Sequence, residues 1–426
     1  MRMLLRFMVA GSLILGLMFG PGSAFGQAGK LDTTFGKGGV VVTTLTTTSE
    51  SNAVIPYAVQ LQTNGDILVL LDVINGASTT TDVLRYTSSG ALDATFGKKG
   101  IAILSATVGE IASMALQADG QIVVAGVGSS GYTVERLNTN GSADTTFGTD
   151  GVAVANLGTR AAAPELVVLI EASGDILIAG ELEEAGRGQS DQVMLARFTS
   201  SGALDTTFGS GGTTIATTLS GCSALAELST GEILVVNSQE IAEFTAKGSL
   251  EATVTGGTII ASAGSENPSV PSVFQPNGDY LLADALFVGE ESRGHNCSVQ
   301  VLRFTASGAA DTSFADPSFH FAGAGGFGIE AIPNAMAVQS NGDIVVVGEQ
   351  LTFAQTGMTT VNGLARLTSS GALDTTFGTD GTVTNSVPSS TGGLTGVVIQ
   401  PADGKIVVIG TVSNFTQLTV GRYLGD

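Results

Sequence analysis

Two short words alternate along this chain, and their alternation limits what it can fold into more than any other feature. The first, clearest as LDTTFG, begins at Leu31, Leu92, Ala143, Leu204, Leu250, Ala310 and Leu373, at intervals of 46 to 63 residues. Its fifth and sixth copies have drifted to LEATVT and ADTSFA. The second, typified by NGDIVVVG, begins at Asn64, Asp119, Ser173, Thr230, Asn277, Asn341 and Asp403. Two words in fixed order, seven times each, mark a chain made of copies of one supersecondary unit that bury their apolar faces against each other.

One unit can be read from Ile111 to Ala155. IASMALQ is a strand-like run, and the ADG after it is a tight turn in which Gly120 can take positive φ. QIVVAGV is a second strand, too apolar to leave one face in water, and YTVERLN is a third that alternates. TNGSADTTFGTDG is a turn-rich connection, and VAVA from Val152 is a short fourth strand. Four short antiparallel strands per unit, with no helical periodicity, predict an all-β, seven-bladed β-propeller of four-stranded antiparallel blades. A parallel solenoid fits less well, because Asn-Gly and Asp-Gly turns build hairpins. The last unit ends at VGRYLGD, without its LDTTFG word and fourth strand, while Leu31 to Thr44 provide those pieces near the other end. The N-terminal segment is therefore expected to be the outer strand of the last blade, closing the propeller and hiding two sheet edges.

The GALDTTFG and DGxIVVxG…LARF words resemble the delta-sixty repeat family of bacterial secreted proteins, from Leu31 to Tyr423. That resemblance implies a β-propeller and no particular activity. The strand order is also similar to that of NHL-type propellers, by analogy only. Unit four departs most from the pattern, with Glu243 for the repeated Arg, Glu251 for Asp and Val254 for Phe.

Composition decides the address and excludes some partners. Residues 1–26 pair Arg2 and Arg6 with the apolar FMVAGSLILGLMFG and then the small residues of PGSAFG, the pattern of a cleaved secretory signal peptide. The apolar run is short for a bilayer span, and no second one follows, so no membrane span is expected in the mature chain. Residues 27–426 are expected to form one propeller domain, secreted to the periplasm or beyond, and monomeric. The net charge of −21 becomes −23 once Arg2 and Arg6 are removed. That field repels a phosphate backbone, so nucleic acid is excluded as a partner, whereas cations are drawn in. Cys222 and Cys297 are the only cysteines, and export permits a disulfide between them without requiring one.

Six units place an Arg seven residues before the word, and the second letter of the word is Asp. The expected pairs are Arg85 with Asp93, Arg136 with Asp144, Arg197 with Asp205, Arg303 with Asp311, Arg366 with Asp374, and Arg422 with Asp32. A device repeated in every unit serves the fold, so these are expected to be structural pairs, and Phe35, Phe96, Phe147, Phe208, Phe314 and Phe377 to pack between blades. His295 and His320 are the only histidines and are expected at the surface. No nucleophile elbow, HExxH, P-loop, CxxC or EF-hand pattern occurs, so no catalytic residue and no cofactor is expected, Ca2+ being the one ion left open.

Function is expected on the connections from strand two to three and from strand four to the next unit. These vary in length and share one face of a propeller, and variable loops on a uniform scaffold are where binding resides. Among them Glu183, Glu184, Asp191, Glu290 and Glu291 stand out as a candidate site for a cation or a basic partner. The leading expectation is a binding or scaffold protein for a protein, glycan or cation partner. The alternatives are a metal-assisted hydrolase or lactonase-like enzyme, and a structural cell-surface protein.

Overall fold

Every regular element among the described residues is a β-strand, as a chain rich in Gly, Thr and Val and punctuated by hairpin turns demands. The computed structural model describes residues 28–46, 51–105, 110–156, 161–183, 192–217, 219, 221–237, 240–255, 270–275, 277–291, 294–322, 328–354, 357–384, 386–387, 392–412 and 415–425. The expected signal peptide, 1–26, lies outside them.

Strand β1 (Val40–Thr44) comes first and belongs to the last sheet. The first sheet is β2 (Asn52–Leu61), β3 (Ile67–Asn75), β4 (Ser78–Tyr86) and β5 (Ile101–Ile103). The second is β6 (Glu110–Leu116), β7 (Ile122–Gly128), β8 (Gly131–Leu137) and β9 (Val152–Asn156). The third is β10 (Ala161–Ile170), β11 (Ile176–Glu183), β12 (Gln192–Phe198) and β13 (Thr213–Ala216). The fourth is β14 (Ala224–Glu227), β15 (Ile233–Val236), β16 (Glu240–Phe244) and β17 (Leu250–Thr255). Next come β18 (Ser272–Phe274), β19 (Tyr280–Glu291), β20 (Gly294–Phe304) and β21 (Ser318–Phe319), followed by β22 (Gly328–Val338), β23 (Ile344–Ala354), β24 (Gly357–Leu367) and β25 (Thr382–Thr384). The last sheet runs β26 (Gly392–Ile399), β27 (Ile406–Val412), β28 (Gln417–Tyr423) and then β1.

Pairing within each group is antiparallel, strand to next strand. The fifth and sixth groups depart from the expectation of separate blades. They form one sheet, because Asn296 and Cys297 of β20 pair in parallel with Ile329 and Glu330 of β22. The unusually long β20 extends beyond its two-residue partner β21, and the unpaired edge is taken up by the next strand. At the other end of the chain, β1 pairs with β28 from Val40 opposite Gly421 to Thr44 opposite Gln417.

Burial follows the layering. The second strands, such as β3 and β27, are buried on both faces over most of their length and begin as apolar runs, Ile67–Leu71 and Ile406–Ile409. The fourth strands are half open, leaving Val42, Ile103, Val154 and Ile215 exposed at their outer edges. The apolar core is divided into layers between consecutive sheets. One layer joins Val69, Leu71 and Leu84 of the first sheet to Val407, Ile409, Leu418 and Val420 of the last. Consecutive first strands touch in order from β2 to β26, and β26 touches β2.

The hairpin turns in the NGD words show why the glycine is needed. Gly65 takes φ 84° as the Gln62 carbonyl receives its N–H, while Asn64 Oδ1 caps the amide of Asp66. The first strands are broken by bulges more often than the others, where shifts occur in β16–β17 and β19–β20. Those of the first strands fall at Pro56/Ala58, Ile111/Ser113, Ala162/Leu166, Pro333/Ala335 and twice in β26. A bulge bends its strand and re-aims the side chains beside it.

One buried acid makes the fold sensitive to pH. Asp82 on β4 is buried, and one of its carboxylate oxygens has no hydrogen-bond partner. Burial pushes its pKa up to about 6, opposed by a hydrogen bond from Thr80 and aided by the charge of Asp72. The folded state therefore holds a proton that the unfolded chain releases above its ordinary value of 3.8. Stability should fall as pH rises from there through about 6, and the full penalty is present above that window. Asp82→Asn is expected to raise the melting temperature at pH 7.5 and to change it little at pH 4.5. An equal shift at both pH values would refute this.

Candidate functional site

Each letter of the LDTTFG word has a mechanical role. The Asp Oδ1 accepts the amide and hydroxyl of the residue two places on, as Asp93 does from Thr95 and Asp311 from Ser313. Its Oδ2 accepts the guanidinium. The six ion pairs lie at 2.7 to 2.8 Å, from Arg85–Asp93 through Arg136–Asp144, Arg197–Asp205, Arg303–Asp311 and Arg366–Asp374 to Arg422–Asp32. Each guanidinium lies over the Phe of its own word, 4.5 to 4.8 Å from the ring centroid. The following Gly takes φ near 50°, and at Gly148 an added Cβ would lie 2.2 Å from the Val152 carbonyl.

The same Arg also reaches the next unit. Its Nη1 donates to a turn carbonyl there: Arg85 to Thr139, Arg136 to Ser200, Arg197 to Ala246, Arg303 to Ser369 and Arg422 to Ser88, at 2.5 to 2.8 Å, and Arg366 to Gly425. The Phe rings press on a glycine of that same turn, where a Cβ on Gly141 would meet Phe96 at 2.9 Å. These residues clamp consecutive units together. In the last unit the turn is shared by both ends of the chain, since Gly29 N–H donates to Leu424 O and Leu424 N–H to Lys30 O. Asp32 is held down at about 2; burial opposes this, but Thr34, Lys405 and Arg422 together outweigh it.

Unit four lacks the clamp. There Glu243, Glu251 and Glu232 bring carboxylate oxygens within 4.8 Å of one another, partly exposed to solvent. Cys222 is buried in the layer between the third and fourth sheets, and its Sγ donates weakly to Ala224 O. Both cysteines are free thiols, so the disulfide that export would permit is not formed. His320, expected at the surface, is half-buried, and burial lowers its pKa.

Two cavities that share wall residues lie where first strands of several units meet. One, of about 330 Å3, is lined by Tyr57, Ala58 and Val59 of β2, Ser272 of β18, Met336 of β22 and Val397 of β26, so first strands from four units converge on it. The second, of about 590 Å3, shares Asn334 and Thr395 with the first and opens beside it. Its walls are the bulged stretch Ala53–Pro56 of β2, Gly393 of β26, Thr411 at the end of β27, and Phe415 in the connection to β28. Glu349 of β23 is its charged group. The bulges at Pro56, Pro333 and Leu394 hold the backbone open at this level.

The acidic residues singled out in the sequence are divided. Glu183 ends β11 in the third sheet, and Glu290 and Glu291 form the hairpin tip of β19 in the fifth group, so they belong to different units. Glu184 and Asp191 lie outside the described residues. The cavity residues were missed because most sit on strands. The signal was present in the sixth unit, where IVVVG is followed by the polar pair Glu349–Gln350 inside an extended β23.

The family described as a domain of unknown function (DUF5122) β-propeller matches residues 117–147, 171–208 and 339–377. Each matched segment runs from a hairpin turn through an Arg–Asp–Phe clamp. The fold is a β-propeller. Among solved structures, the Neurospora crassa Pan2 WD40 domain is similar at 9% identity, over 87% of this chain and 90% of that one, with a TM-score of 0.48. A gluconolactonase from Xanthomonas campestris is similar at 12% identity, over 88% and 86%, with a TM-score of 0.38. A protein of unknown function from Bacteroides caccae is similar at 13% identity, over 70% and 92%, with a TM-score of 0.36. No curated protein sequence matches the chain.

Proposed function

We propose that residues 27–426 form a secreted, seven-bladed propeller that acts as a binding module, with its ligand site at the mouth of the central channel. The seven-unit count is supported by the two repeated words and by the succession of first-strand contacts from β2 round to β26 and back to β2. Closure by the N-terminal strand is supported by the pairing of β1 with β28 and by the Arg422–Asp32 clamp.

The observation that carries the binding reading is the 590 Å3 cavity, a size that suits a small ligand or an inserted side chain. It opens where connections from second to third strands and into first strands meet, the variable set in the sequence. A thermal-shift screen with cations, glycans, amines and peptides tests this, using the wild type and the cavity-filling Ala53→Trp. A ligand that stabilises the wild type and not the variant supports the reading. A wild type that responds to nothing, or hits shared equally by both proteins, would overturn it. Turnover of lactones or esters by the wild type would instead favour the hydrolase alternative.

A further inference from the structure

The 590 Å3 cavity has an electrostatic character that its apolar walls do not announce. Glu349 is half-buried, and its carboxylate accepts a hydrogen bond from the Gly393 amide. Among the described residues it has no cationic partner. A carboxylate among Val54, Ile55, Pro56 and Phe415 is partly desolvated, and burial raises its pKa against the one hydrogen bond from Gly393. Directly across the ladder on β24 is Asn362, which is only 4% exposed and has neither side-chain amide atom hydrogen-bonded. Val347 and Leu364, one step along the same face, pack against Leu394, Val397 and Val408 of the last sheet, so Glu349 and Asn362 face that sheet too. Thr395, on the cavity wall, has a buried hydroxyl with no partner. Native folds seldom leave buried groups such as the Asn362 amide and the Thr395 hydroxyl unsatisfied unless something else completes them.

We infer that this cavity receives an organic ammonium group carried on an apolar body, with Glu349 as its counter-ion. This rests on the binding reading above. A hard metal cation takes six or more oxygen ligands, usually with several carboxylates, and this wall offers one carboxylate beside the neutral side chains of Asn334, Thr395 and Thr411. An anion would be repelled both by Glu349 and by a chain whose net charge is −21. An ammonium ion has three donors for the carboxylate and for neutral oxygens such as the Thr395 hydroxyl, while its hydrocarbon part fits the Val54–Pro56 wall. Phe415 suits a cation as well. Its ring is 43% exposed at the rim, and its backbone is held at φ 65° with its carbonyl taken by the Val54 amide. The ammonium could be that of a free amine or of a lysine side chain on a partner.

Calorimetric titration tests this with 2-phenylethylamine, its neutral analogue 2-phenylethanol, and a short lysine-bearing peptide, each against the wild type, Glu349→Gln and Ala53→Trp. Melting curves establish that each variant is folded. The expected result is that one or both ammonium probes bind the wild type at least about tenfold more tightly than the alcohol, and lose about tenfold or more in Glu349→Gln. A preference for the peptide identifies a partner lysine, and a preference for the free amine identifies a small metabolite. Equal binding of amine and alcohol, undiminished binding by Glu349→Gln, or no ammonium binding at all overturns the inference. If binding survives in Glu349→Gln but is lost in Ala53→Trp, the cavity is still a ligand site and only the ammonium assignment falls.

Discussion

A chain lacking residues 27–44 is expected to melt far below the intact protein and to self-associate. Three losses coincide. The partner of β28 is removed from Gln417 to Gly421, leaving an open row of donors and acceptors on an edge that can pair with another molecule. Phe35 leaves the fully buried layer between the last and first sheets, a loss comparable to a large-to-small core change of about 3–5 kcal/mol. Asp32 goes too, stranding the buried Arg422 guanidinium, which adds a penalty of similar size, about 3–5 kcal/mol. Calorimetry and light scattering of the truncated and full chains check this. A superimposable melting curve would show that the segment is an appendage.

Replacing Arg422 with Ala is expected to destabilise the fold by up to about 3–5 kcal/mol, because the change leaves the buried Asp32 carboxylate with only the longer contact to Lys405, at 3.2 Å, as its cation. This side chain joins its own strand to two distant pieces of chain: the N-terminal word, through the Asp32 ion pair and stacking on Phe35, and the turn at Ser88, through its carbonyl. Arg422→Lys should recover only part of the loss, since an ammonium cannot serve the carboxylate, the carbonyl and the ring together. Arg303→Ala should be milder, because Arg303 and Asp311 are 15% and 20% exposed, against 7% and 5% for Arg422 and Asp32. Chemical denaturation of the three variants ranks them. Equal effects at the two sites, or full rescue by Lys, would contradict the clamp.

The residues of the clamp were legible, but only half of their job was. Spacing alone matched five of the Arg residues with their Asp, because both lie within one unit at a constant separation of 8 residues, and the place of the displaced word in the repeat matched Arg422 with Asp32. The reach of Nη1 to a carbonyl in the following unit was hidden, because that carbonyl belongs to a turn whose position depends on how units pack. The candidate site was less legible still. Glu183, Glu290 and Glu291 drew notice because loops with several acids look like binding loops, yet the backbone places them in different units. Glu349 lies in a strand and reads like one more polar position, as does Asn362. Only the bulges in β2, β22 and β26, which hold the first strands apart at that level, make the Glu349 position part of the wall of a cavity, with Asn362 across the ladder from it.

By itself the sequence determined the all-β class, the order of strands within a unit, the turn glycines, the Arg–Asp partners and the displaced word near the N-terminus. All of these are local, set by hydrophobic period, φ requirements and fixed spacing within some tens of residues. The tertiary structure alone decided that β20 and β22 merge two units into one sheet, that Cys222 and Cys297 remain thiols, and that Glu349 lines a cavity with an unpartnered Thr395 hydroxyl and lies across the ladder from an unpartnered Asn362 amide. Those outcomes depend on how sheets lie against each other, and no period in the chain encodes the distance between side chains of different units.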